Sequence, residues 1–249
     1  NGTVGTLSLS NLSVDVFIIG FDHNSSVEGS NRIHFQIGKI SSKLIGLCDS
    51  KYNNYATDGT KYFNMNHWGN YNYGGWAGCD LRYDVLGSTD VAPSGYGSAV
   101  TTSRVGYNAS ATCATNPVAN TLMAALPADL RAVMKGVTKY ADAVGNSSDV
   151  LANVKAFTDY LFLLAEFEVQ GTRSYANRYE QNYQKQYAYY SSGNSKVMYK
   201  HNGTTTAAWW WLRSANYNNN NNFCNVNTDG SANNNNARNA AALAPGFVV

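Results

Sequence analysis

Charge is scarce in this chain. Lys, Arg, Asp and Glu make up 14% of its 249 residues, against about a quarter in an ordinary globular protein. The formal net charge is +2, with Lys and Arg scattered. That excludes the clustered basic face of a nucleic-acid binder. Long apolar runs are missing too. Leu161-Phe162-Leu163-Leu164 is far too short to cross a bilayer, so no membrane insertion is expected. There are 4 cysteines, Cys48, Cys79, Cys113 and Cys224, and no two stand at CxxC spacing. A zinc site is therefore not indicated. One or two disulfides remain open beside the simpler reading of four small thiols. Histidine is equally sparse. His23, His34, His67 and His201 form no HExxH pattern and read as surface or turn residues. No GxSxG, P-loop or GxGxxG opens a helix. The chain begins at Asn1 rather than Met, with no signal peptide in view, which reads as a fragment or a processed chain.

Hydrophobic and aromatic residues are present in quantity, at 44% and 13%. They suffice for a real core, and 249 residues fit one large domain. With so few charges, the polar surface must be built from Asn, Ser, Thr, Tyr and Gly. That composition favours a structural or outward-facing protein and gives no support for an enzyme or a cofactor.

Residues 1–47 read as strands. Val14 to Gly20 passes from alternation into an apolar run, as a buried strand does. Ile33 to Gly38 alternates, with Ile33, Phe35 and Ile37 on one face and His34 and Gln36 on the other. Residues 48–116 carry Tyr, Gly and Asn with Trp68 and Trp76, a folded but irregular region pinned by rings, Tyr96 and Tyr107 among them. Gly74-Gly75-Trp76 reads as a tight turn delivering an aromatic anchor. Asp80 to Tyr83 starts a short helix. Pro127 opens a further helix whose stripe is Leu130, Val133, Met134 and Val137. Ser148 caps a third, holding Leu151 and Val154. From 158 the chain returns to strand, with Phe167 and Val169 on one face and Glu166 and Glu168 solvated on the other. Two such acids are conceivable as a catalytic pair, but solvation is the preferred reading.

The last fifth of the chain organises the rest. Trp209, Trp210, Trp211 and Leu212 put large apolar groups on both faces of a strand, so both faces must be buried. Arg213 follows and needs a partner, because an unpaired buried guanidinium is costly. Then asparagine crowds in: Asn216, Asn218, Asn219, Asn220, Asn221, Asn222, Asn225, Asn227, Asn233, Asn234, Asn235, Asn236 and Asn239. Phe223 and Val226 punctuate the run and are expected to point inward while their Asn neighbours face out. Asp229-Gly230 is a hairpin signal. A solvated low-complexity stretch is the rival reading. The apolar punctuation and the strands on either side favour an ordered surface spanning 216–239.

The cassette resembles the variable region of target proteins of diversity-generating retroelements. The residues that carry the likeness are Trp210-Trp211-Leu212-Arg213-Ser214 at the entry, Val226 to Gly230 in the middle, and Ala244-Pro245 with Phe247 near the end. Upstream, Leu161 to Val169 is similar to the segment that precedes the cassette in a phage and bacterial branch. Ala165 stands where that branch usually has Ser, and Leu243-Ala244-Pro245 replaces the usual Arg-Pro-Ala. The resemblance covers roughly residues 70–249. It implies an α+β fold of the C-type-lectin-like class, shared with formylglycine-generating enzymes. Residues 1–69 would be a strand-rich part packed on the same domain.

In that family a template is copied with errors at adenines. An Asn codon carries adenine at its first two positions, and substituting them reaches most residue types and never a stop. The resemblance therefore makes the Asn positions, with Tyr217, the ligand-binding sites. Trp209, Trp210, Trp211, Leu212, Arg213, Phe223 and Val226 become the fixed frame. It implies a display protein on a phage particle or bacterial surface, with a host-surface protein or glycan receptor as ligand and other virion proteins as neighbours. A homo-oligomer is compatible with it. The Glu-Pro-Asn and Gln-Pro-Asp calcium motifs of sugar-binding lectins are missing, and no metal is expected. The alternatives are a structural virion protein with solvated Asn loops and, last, an enzyme of the same fold with a pocket near Trp76. An all-Asn face lacks Tyr, Trp and Arg anchors, so weak binding is expected of this version.

Overall fold

The computed structural model describes residues 2–9, 12–89 and 114–249. A small hairpin of β1 (Thr3–Val4) and β2 (Leu7–Ser8) comes first. Next are β3 (Asp15–Phe21), the single turn α1 (Ser25–Glu28), β4 (Ile33–Ile40) and β5 (Lys43–Gly46). A long irregular stretch follows, broken by α2 (Gly75–Gly78) and a π-helical segment, Leu81–Leu86. After α3 (Leu122–Ala125) and α4 (Ala128–Val133) comes a hairpin of β6 (Val137–Asp142) and β7 (Val154–Asp159). Then α5 (Glu166–Gln170) and α6 (Ala188–Ser191) lead to β8 (Met198–Lys200) and β9 (Gly203–Ala208). The chain ends with β10 (Trp210–Ala215), β11 (Asn222–Val226), β12 (Ala232–Asn236) and β13 (Gly246–Val248). Several small sheets with short helices make this an α+β protein.

The largest sheet runs β13-β4-β5-β8-β9, with β3 on the free side of β4. It joins the first fifty residues to the carboxyl end: Phe247 lies opposite Phe35, their rings stacked at 5.2 Å. A second sheet, β10-β11-β12, carries the Asn cassette.

Strand β10 is buried at every residue. Trp209, Trp211 and Ala215 belong to one apolar cluster, with Trp76, Phe63, Phe223 and Phe247. Trp210 and Leu212 belong to another, with Phe162, Leu164, Tyr187 and Val226. The run of tryptophans thus lies between two cores, which is why neither face carries a polar residue before Arg213. The Gly74-Gly75 turn also forms as expected. Both have positive φ, and a Cβ on Gly75 would stand 2.0 Å from the Asp142 carbonyl. Trp76 is delivered into the core, where its Nε1 donates to Asp159 (2.8 Å).

Several expectations fail for identifiable reasons. Strand β3 is buried on one face only: Phe17 and Ile19 lie in the core, while Val16 and Ile18 on the other face are each 42% exposed, and that face of the edge strand has no cover among the described residues. In β4 the polar residues are the deeper ones. His34 and Gln36 are fully buried; Gln36 Nε2 donates to Ala244 O (2.9 Å) and its Oε1 accepts from Tyr190 (2.6 Å). The helix after Pro127 stops at Val133, which is exposed, and Val137 begins β6 instead. Lys135 N bonds Val248 O (2.8 Å), and the six-residue β6–β7 ladder outweighs a further helical turn. For the same reason Val154 opens β7, and only a 3₁₀ turn, Leu151–Asn153, stands where a third helix is expected. Glu166 to Val169 is helix rather than strand, with both acids buried. His23 and His67 join His34 in the interior rather than at the surface. Cys48, Cys79 and Cys224 are buried, and Cys48 and Cys224 are free thiols. Cys113, Tyr96 and Tyr107 lie outside the described residues.

Candidate ligand-binding surface

The cassette is an ordered hairpin preceded by a loop. Asn222 to Val226 pair with Asn236 to Ala232 in unbroken antiparallel register, and the turn between them contains Asp229-Gly230. Phe223 and Val226 point inward as expected, at 1% and 0% exposure. The Asn residues do not form one outward face. Asn216 and Asn225 are buried, which corrects their assignment to the binding face. Asn225 lies opposite Trp211 in the register, against the tryptophan strand, so it is covered from that side. Tyr217 and the other cassette asparagines are half-exposed, and Asn218 is exposed. What solvent sees is the loop 217–222, the turn 227–231 and the edge strand β12.

Much of the amide hydrogen-bonding capacity is already used inside the cassette. Asn216 and Asn219 each accept from the N–H two residues on (2.9 and 2.7 Å), the Asx turns that shape the loop. Asn222 Nδ2 donates to Asn234 Oδ1 across the strands, and Asn239 Nδ2 to Asn235 Oδ1 (2.8 Å). On β12 the Oδ1 atoms of Asn233 and Asn235 accept the next residue's N–H (2.8 Å each). The bonds Asn227 N to Ser231 O and Ala237 N to Asn221 O bracket the ladder. Its alternation then turns the N–H groups of Asn234 and Asn236 away from β11. The side chains therefore cap an edge that would otherwise be open for pairing.

The frame supplies further contacts that the sequence did not disclose. Asn72, buried, donates through Nδ2 to the carbonyls of Asn219 and Asn222 (2.8 Å each), and its N–H bonds Asn220 O (2.8 Å). Tyr73 accepts from Asn220 Nδ2 (3.2 Å) and stacks on Tyr71. Asn70 donates to Asn236 Oδ1 (3.2 Å). The alternation Asn70-Tyr71-Asn72-Tyr73 echoes the cassette's own composition, the one signal available in advance. Tyr217 lies over the Arg173 guanidinium at 4.0 Å.

Beneath the sheet lies a buried ion network. Arg213 finds its partner in Glu168, with Nη1 to Oε2 at 2.5 Å and Nη2 to Oε1 at 2.8 Å. Lys139 Nζ donates to Glu168 (3.1 Å), Glu28 (2.6 Å) and the Tyr187 hydroxyl (2.7 Å). Burial works to raise Glu168, but Arg213 and Lys139 override it and hold the carboxyl well below its usual range. Burial, with Lys139 adding to it, lowers His23 and His34 to about 3, so both are neutral near pH 7. His23, Glu28 and Glu168 bring ligand atoms within 4.8 Å of one another. Both carboxylates there already bind the Lys139 ammonium.

Glu166 differs. It accepts the N–H groups of Ser174, Tyr175 and Ala176 (2.8–3.0 Å) and so shapes the loop after α5. Neither acid is solvated as expected: both are buried and bonded to residues of the frame. Glu180 accepts from Ser214 Oγ (2.6 Å), and burial pushes it up to about 7.

A family model described as a domain of unknown function, DUF6273, matches residues 53–249. The chain belongs to the DUF6273 family. The DUF6273 match spans the cassette, the ion network except Glu28 and the histidines, and the Asn70–Tyr73 support. No curated protein and no solved structure matches the chain.

Proposed function

We propose that this DUF6273 protein is a ligand-binding display protein. Its recognition surface is the loop 217–222 together with the outer edge of the hairpin, and its fold is of the C-type-lectin-like class. The observation that supports this best is the contrast across one short distance: a strand buried on both faces, held by a bonded Arg213–Glu168 pair, next to a half-exposed run of a single residue type. A rigid base under a chemically uniform, half-exposed surface suits replacement at the surface without loss of fold. The codon argument then makes these asparagines the sites that a retroelement varies. The ligand is a receptor on a host surface, the protein is carried on a phage particle or bacterial surface, and the role is binding rather than catalysis. Sequencing sibling copies of the gene tests this. Differences are expected at the first two bases of the half-exposed Asn codons, and an even spread along the chain overturns the reading.

One observation favours a second reading, a structural surface protein whose Asn side chains simply lace the hairpin together. The Asn222–Asn234 and Asn239–Asn235 bonds are of that kind. Under it, the sibling copies differ no more in the cassette than elsewhere.

A further inference from the structure

Three exposed or partner-poor groups stand beside the cassette, and the ion network and the cassette ladder use none of them. Trp68 is 64% exposed and Tyr55 is 58% exposed. Arg238 is the only Lys or Arg in residues 216–239. Its guanidinium lies over the Tyr55 ring at 4.2 Å, and its Nε, buried, has no hydrogen-bond partner among the described residues.

The three are fixed to one another through the backbone. Asn66 N bonds Ala237 O (3.0 Å), and Asn64 Nδ2 bonds the carbonyls of Ala56 (3.1 Å) and Arg238 (3.2 Å). Tyr55 pairs with Asn239. The Trp68 N–H is held by Asn66 Oδ1 (2.9 Å), and its indole lies against Gly59. Gly59 has φ +80°, and a Cβ there would come within 2.3 Å of the ring. The indole is thus seated on the backbone while most of it faces solvent.

Trp, Tyr and Arg are the residues that dominate binding energy at protein interfaces. A cation pre-oriented on an aromatic ring is also suited to take a carboxylate in a fork geometry. We propose that Tyr55, Trp68 and Arg238 form an invariant anchor that docks an acidic protein surface, one with an Asp or Glu beside a flat apolar group. The adjacent asparagines then tune which such surface is accepted. This rests on the display reading above and revises the expectation that the surface has no anchors.

The test is a display library in which Asn218, Asn220, Asn221, Asn227, Asn234 and Asn236 are randomised, with Tyr55, Trp68 and Arg238 kept. It is selected on immobilised ovalbumin, an acidic protein. Isolated binders are then given Arg238→Gln or Trp68→Ala, and their thermal midpoints confirm that each variant folds. Each substitution is expected to weaken binding about tenfold or more, and the Arg238 effect is expected to shrink as salt rises. Binders that keep their Kd within about twofold through both changes overturn the anchor. Binding that disappears when ovalbumin is deglycosylated assigns the patch to sugars and overturns the choice of partner. A library that yields no binder at all overturns the display reading and removes the anchor with it.

Discussion

Arg213 and Glu168 meet as a two-bond pair in the interior, 2.5 and 2.8 Å apart at their bonded atoms, with neither side chain exposed to solvent. Lys139 shares the same carboxylate and links it to Glu28. Removing one partner of such a pair leaves a buried charge uncompensated and costs about 3–5 kcal/mol. Glu168→Gln is therefore expected to lower the urea midpoint severely. The double variant Glu168→Gln with Arg213→Met is expected to recover part of that loss. A double variant no better than the single one would show that the pair is not a closed unit.

Asn72 sets the shape of the cassette loop from outside it. Its Nδ2 serves the carbonyls of Asn219 and Asn222, and an Asp in its place keeps the shape but loses those donors. Asn72→Asp is expected to cost about 1–3 kcal/mol, the range for leaving buried acceptors unsatisfied. Hydrogen exchange is expected to quicken first at residues 216–222. Uniform quickening over the whole chain would contradict a local role.

The cassette positions are not equivalent. No side-chain bond within the described structure holds the amides of Asn218, Asn221 or Asn227, whereas Asn219, Asn222 and Asn235 use theirs to hold the loop and the strands. Replacing the first three by Ser is expected to change stability by no more than about 0.5 kcal/mol each. The same change at the second three is expected to cost about 1 kcal/mol each. Urea titration of the two triple variants distinguishes them.

Glu180 and the two buried histidines work against each other across pH. Burial raises Glu180 from 4.5 to about 7, so between these values the native chain keeps a proton that the unfolded chain has released. Stability from Glu180 therefore falls as pH rises through that window. Glu28, also raised by burial, to about 7, acts in the same sense. His23 and His34, lowered by burial from 6.5 to about 3, lose stability as pH falls below 6.5, because the unfolded chain then takes up the protons. Glu180→Gln removes one falling contribution. The gain in unfolding free energy from pH 5 to pH 7 is expected to exceed that of the parent by about 2 kcal/mol. An unchanged difference would show that Glu180 titrates normally.

What could be read in the sequence was local. Trp209 to Leu212 declared a doubly buried strand by size alone, and Asp229-Gly230 declared its turn by backbone chemistry. The stripe Leu130, Val133, Met134 and Val137 misled because a helix of six residues followed by a strand satisfies the same spacing. Glu166-Phe167-Glu168-Val169 alternates like a strand, yet acids in a first helical turn follow an equally physical rule. Glu168 bonds back to the Ala165 N–H (2.9 Å) to fix that turn. Partners far apart in the chain left no trace: Glu28 with Lys139, Asn72 with Asn222, and Arg238 over Tyr55. Local patterning locates a strand, but it does not identify which side chain will sit against it.

The central claim is that the half-exposed cassette can change its chemistry, and hence its ligand, while the frame stays folded. Two display libraries put this to the test on the same protein targets. One randomises the half-exposed cassette asparagines, and the other an equal number of exposed positions outside the cassette, among them Ser41, Ser42, Asn202, Thr205 and Thr206. Binders of distinct specificity, still folded, are predicted from the cassette library at a frequency well above the control. Equal yields from the two libraries, or cassette variants that largely fail to fold, would contradict the account.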